Sequence, residues 1–171
     1  MARSKGSSKS KTAKRSNARP VRTDAVSMLK ADHRQVEEWF EEFEGTRSSQ
    51  RKQTLASQIC AALRVHTTIE EEIFYPAFLA ATKDKDIHHE AIIEHDGAKN
   101  LIGEIEQSDP SDDFFDSKVR VLSEMIKHHV KEEEQPEGMF AEAKASKMDL
   151  EELGAELLGR KRELSGETTG E

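Results

Sequence analysis

The chain has 171 residues, of which 35% are charged and 5% aromatic, with 4 prolines and 9 glycines, a balance that suits one helical domain and argues against sheet. A single cysteine, Cys60, excludes an intramolecular disulfide and a thiolate zinc site. No apolar run approaches the roughly 20 residues of a membrane span, so a cytoplasmic protein without membrane contact is expected. The net charge of −8 is uneven: residues 1–22 hold eight bases and no acid, which leaves −16 on residues 23–171.

Residues 1–22, rich in Ser, Lys and Arg, have almost nothing to bury and are expected to form a disordered basic tail without a secretory signal. A tether to nucleic acid or another polyanion is one reading of that charge. With no aromatic platform or basic helix beside it, a solubilising extension is the preferred one.

A first helix is predicted from Thr23 or Asp24, as N-cap, to Gly45. Val26, Leu29, Val36, Phe40 and Phe43 recur in steps of three and four if His33 is counted with them, so His33 lies in the buried seam. A second helix is expected from Ser48 or Ser49 to about Pro76, its stripe of Leu55, Ile59, Leu63 and Ile73 completed by His66 and Glu70. The third should run from about Asp86 to Gln107 with Ile92, His95, Ala98, Ile102 and Ile105 inward. SDPSDD supplies a turn and an N-cap for a fourth, about Ser111 to Gln135, whose stripe of Phe115, Val119, Leu122 and Ile126 continues into His129 and Glu133. Leu150, Leu153, Leu157, Leu158 and Leu164 mark a short extra C-terminal helix, with Gly154 against it. The expected architecture is an all-α, antiparallel up-down-up-down four-helix bundle over residues 23–145, followed by a C-terminal helix and tail over 146–171.

Two halves of the bundle repeat one arrangement. Asp32-His33 precedes His66 by 33 residues and Glu94-His95 precedes His129 by 34, and each second histidine has a glutamate four residues on, Glu70 and Glu133. With neighbouring helices antiparallel, all six groups fall in one slab near one end of the bundle. A lone seam histidine is usually a hydrogen-bonded core residue; four at one depth with two buried carboxylates need a cation to offset the cost of burying charge. Four imidazoles, two bridging carboxylates and an oxo or hydroxo bridge leave about two of the twelve or so positions of two octahedral ions open. Mixed nitrogen and oxygen ligation suits iron or manganese better than magnesium, and ligand type alone leaves zinc in play. Glu71, Glu72, Glu132, Glu134 and His128 point off the seam, with Glu71 and Glu134 placed to accept from a ligand histidine. Cys60 reads as a buried spacer, and Tyr75 either reaches the surroundings of the ligands or, the preferred reading, caps the core.

The stretches ADHRQVEEWFEEFE, VHTTIEEEIFYP, EHDGAKNLI and HHVKEEE resemble the hemerythrin family, specifically its bacterial HHE cation-binding branch, over roughly residues 23–145. The resemblance implies a carboxylate-bridged pair of non-haem irons held by His33, His66, Glu70, His95, His129 and Glu133, which binds O2, NO or peroxide or senses redox state. Hemerythrins proper place a further histidine one turn before that of the third helix, where this chain has Ala91. That departure points away from reversible oxygen carriage by a seven-ligand site. His88, one turn further back, is read as a solvated or gating residue rather than a ligand. A binding or sensing protein is the leading expectation; the alternatives are a di-iron enzyme that consumes peroxide or reduces NO, and an iron storage protein. A ferritin-like Glu-x-x-His site does not fit, since no histidine here has Glu three residues before it.

Overall fold

The computed structural model describes residues 23–166, so the tail assigned to residues 1–22 lies outside the described residues, as do residues 167–171. The described chain is all helical: α1 (Ala25–Gly45), α2 (Ser49–Ile69), a π-helical turn (Glu70–Phe74), α3 (Tyr75–Thr82), α4 (Lys85–Glu106), α5 (Phe115–Glu134), α6 (Met139–Ala145) and α7 (Leu150–Leu164). Asp24, Ser48, Asp84 and Asp149 each accept from the backbone N–H three residues on, which sets the starts of α1, α2, α4 and α7. The bundle closes as a ring, α1 against α2 and α5, and α4 against α2 and α5. Among the described residues no helix is long and apolar enough to cross a membrane.

Two boundaries and one inward position differ from the sequence-based expectation. The second helix does not stop at Pro76 but runs on to Thr82, where Lys83 takes a left-handed conformation (φ 65°). Pro76 is tolerated because it falls in the first turn of α3, just after the π turn, where its missing N–H costs little. The fourth helix starts at Phe115 rather than Ser111: Asp109 accepts from Ser111 and Asp112 from the Asp109 amide, so these side chains fold a turn and do not cap the helix. On α4 the buried residue is Ala91, and Ile92 is only half-buried.

Two apolar clusters fill the bundle. One gathers Val36, Phe40, Leu63, Ile102, Leu122 and Val130; the other gathers Leu29, Phe74, Tyr75, Phe78, Phe140 and Leu157. The buried polar residues His33, His66, Glu70, His95, His129 and Glu133 belong to neither. Helix α7 packs outside the bundle on α1, α2 and the π turn. A Cβ on Gly154 would stand 2.4 Å from the Thr23 carbonyl oxygen, so glycine, which weakens a helix, is what lets these two backbones approach.

Candidate metal centre

Helix α1 presents His33, α2 and the π turn present His66 and Glu70, α4 presents His95, and α5 presents His129 and Glu133. All six are buried, the two glutamates at 0% and 2% exposure. The structure therefore brings together every residue singled out from the sequence for the site. Their ligand atoms fall into two groups, His33, His66, Glu70 and Glu133 in one, and Glu70, His95 and His129 in the other. Within each half the imidazoles face each other through Nε2, 3.1 Å apart for His33 and His66 and 3.1 Å for His95 and His129. Two donors on one ion at about 2.1 Å and a right angle would stand about 3.0 Å apart.

Each Nδ1 faces a carboxylate. His33 lies 2.7 Å from Glu134, His66 3.4 Å from Asp32, His95 2.9 Å from Glu71, and His129 2.7 Å from Glu94. A carboxylate there holds a ring proton on Nδ1, which leaves Nε2 as the nitrogen that would give up its proton and turn a lone pair to a metal. Glu71 and Glu134 were anticipated in that role; Asp32 and Glu94 were not, although their place directly before His33 and His95 in both halves of the repeat is the signal that identifies them.

The carboxylates are short of partners. Glu70 Oε1 and Glu133 Oε2 accept no well-formed hydrogen bond and lie only against the Nε2 atoms of His66 and His33, at 3.2 and 3.3 Å, an arrangement that costs free energy in a dry interior. Burial pushes the Glu70 carboxyl up, but the imidazoles of His66 and His95 outweigh it and hold the group well below the usual carboxylate range. Burial and the charge of Glu70 push Glu133 up, and His129 and His33 bring it down overall. Reciprocally, burial disfavours charge on His66, yet Glu70 and Asp32 raise it to about 10. His129, with Glu133 beside it, is raised well above its ordinary value in spite of burial. Without a metal, protons on these rings supply the positive charge that a cation would supply. The donor set and its two orphaned oxygens fit a metal.

Tyr75 is more than the core cap preferred for it and follows the other reading, reaching the site. Its hydroxyl donates to Glu133 Oε1 at 2.9 Å and lies 3.3 Å from Glu70 Oε2, 3.1 Å from His95 Nε2 and 3.4 Å from His129 Nε2. The cause is the π turn. Five residues advance an α-helix by about 500°, which would face Tyr75 about 140° away from Glu70. The i→i+5 bond from the Tyr75 N–H to the Glu70 carbonyl closes about one revolution over the same span and returns Tyr75 to the site.

A cavity of about 10 Å³, at the lower limit for a single water, sits against the imidazoles and is walled by Val36, Leu63, Ile126 and Val130. Ala91 lines a separate cavity of about 40 Å³ beside Glu133. His88 stays outside the cluster, its ring edge-on to Tyr75 with centroids 6.2 Å apart. Cys60 is buried, and burial pushes its thiol up to about 12, which suits an inert spacer. Phe140 of α6 stacks on the His33 ring at 5.8 Å and an interplanar angle of 11°.

The model of the hemerythrin HHE cation binding domain family matches residues 22–141. A DNA nickase of Nostoc sp. is 30% identical over 107 residues, 63% of this chain, which spans about 30% of the length of that protein. The crystal structure of a hemerythrin HHE cation binding domain-containing protein from Mycobacterium kansasii superposes with a TM-score of 0.70 at 22% identity, covering 85% of this chain and 89% of the other. At that identity the likeness is one of fold.

Proposed function

Because this chain belongs to the hemerythrin HHE cation-binding domain family, we propose that His33, His66, Glu70, His95, His129 and Glu133 hold two non-haem iron ions side by side, and that the protein uses them to bind O2, NO or peroxide or to sense redox state. The reading rests above all on the reach of the two carboxylates. Glu70 faces His66 with one oxygen at 3.2 Å and His95 with the other at 3.3 Å; Glu133 faces His33 at 3.3 Å and His129 at 3.4 Å. A carboxylate whose oxygens face different imidazoles suits a bridge between two ions. Imidazole with carboxylate suits iron, with manganese as the nearest substitute.

A bound iron pair supplies one-electron redox change and open coordination positions. The chain's own residues determine what reaches it. Val36, Leu63, Ile126 and Val130 keep the adjoining cavity apolar, which disfavours water beside the site. The four carboxylates on Nδ1 hold the rings in place. Burial first, and then the charges of Glu133 and Glu70, keep the Tyr75 hydroxyl protonated far above its usual range, so it stays a hydrogen-bond donor at any ordinary pH.

That donor also favours a second reading, an enzyme that consumes peroxide or reduces NO, since in both reactions charge develops on oxygen that a hydrogen-bond donor in a dry site would stabilise. Stopped-flow spectra of the reduced, iron-loaded protein separate the two. A long-lived spectral change on mixing with O2 or NO supports binding; rapid multiple turnovers of peroxide or NO would replace it with the enzyme reading.

A further inference from the structure

Helix α7 lies beyond the family match, yet it reaches the site. Three of its contacts dock it. Leu157 is fully buried, Gly154 lies against the backbone of Thr23 to Ala25, and Arg160 grips Glu72 at 2.7 and 3.1 Å. The fourth contact differs in kind: Lys161 donates to Oδ1 of Asp32, the carboxylate whose Oδ2 lies 3.4 Å from His66 Nδ1.

The other three outer carboxylates are also held from behind, Glu71 by Lys99, Glu134 by Arg34 and Glu94 by His128. Those three partners come from within residues 22–141; of the four, only Lys161 comes from an appended helix. The Nδ1 contact that it supports is the longest of the four, and so the one most dependent on being held in place. Lys161, Asp32 and His66 also line a groove of about 750 Å³ between α1, α2 and the end of α7, with Val36, Trp39 and Leu164. Asp32, Val36 and His66 line the inner cavity as well, so the Lys161–Asp32 pair stands where groove and cavity meet.

We propose that Lys161 is a positioning residue for the metal site: by holding Asp32 it keeps the His66 imidazole turned so that Nε2 faces the ions. The proposal rests on the metal reading above. Released from Lys161, Asp32 can swing into the groove, and His66 then loses the acceptor that fixes its ring.

The test titrates the metal-free full chain with Co2+, whose visible spectrum reports its ligand set. Wild type takes up about two Co2+. Lys161→Met weakens one of them roughly tenfold and alters its visible bands, and Lys161→Arg restores both. Arg160→Gln loosens α7 without touching Asp32 and stays within about twofold of wild type. In an Asp32→Asn background, Lys161→Met adds no further loss. Equal losses in Lys161→Met and Arg160→Gln would overturn the proposal, because Lys161 would then act only by docking α7; an unchanged affinity in Lys161→Met would overturn it too. Wild-type protein that takes up no Co2+ would instead bring down the metal reading itself, and this proposal with it.

Discussion

Each imidazole of the site has a carboxylate on its outer nitrogen and faces a carboxylate with its inner one. In the metal-free protein this environment raises His66 to about 10, so at pH 7 the ring carries a proton on the nitrogen a metal would take. Metal uptake at pH 7 should therefore release protons to the solvent, measurable in a pH-stat, and should tighten as pH rises; uptake without release would mean that the rings are neutral beforehand. Tyr75 makes a separate prediction. Tyr75→Phe keeps every nitrogen and carboxylate ligand but removes the hydroxyl donor, so metal content should stay the same while a bound NO or O2 dissociates roughly tenfold faster, about the worth of one buried hydrogen bond. The inward residues were legible in the sequence because a histidine or glutamate in an apolar stripe stands out. Tyr75 was not, because a tyrosine next to Phe74 at the foot of an apolar face looks the same whether its hydroxyl meets a carboxylate or water.

At the scale of elements, the stripe read well wherever the helix kept its 3.6-residue period and misled where it did not. The π turn shifts the register after Ile69, which is why Ile73 is only half-buried and Tyr75 comes inward. The apolar run of Phe78 and Leu79 beyond Pro76 was the sign that the helix continued. Gly154 shows the opposite case: composition alone counted it against α7, whereas the close approach to Thr23 makes it the residue that permits docking. Gly154→Ala should therefore destabilise the protein by about 1–3 kcal/mol through overpacking. Gly159→Ala, on the exposed face of the same helix with nothing within 4 Å of its added Cβ, should stabilise it by about 0.5–1 kcal/mol. Urea denaturation of the two variants checks the pair, and shifts of the same sign would contradict the packing assigned to α7.

Across the whole molecule, the internal repeat in the sequence becomes an approximate two-fold arrangement around the site. Asp32 on α1 serves His66 on α2, and Glu94 on α4 serves His129 on α5, so one carboxylate ties each half together. Glu71 serves His95 and Glu134 serves His33, so the other two tie one half to the other. Glu70 and Glu133 span both halves at the centre. A bundle built this way has its buried charges balanced only when positive charge sits between them, and two cations would do so more completely than protons, which leave Glu70 Oε1 and Glu133 Oε2 against His66 and His33 at 3.2 and 3.3 Å without a well-formed hydrogen bond. The sequence repeat made the six central residues legible, and the off-seam position of Glu71 and Glu134 marked them as acceptors for a histidine; which histidine each serves was not legible, because that depends on how α2 meets α4 and how α1 meets α5. The most direct test is elemental analysis of the protein purified after expression without added metal, beside Glu70→Ala and Glu133→Ala. The account predicts about two irons per wild-type chain and a sharp fall in both variants; iron content that is unchanged in both would contradict it.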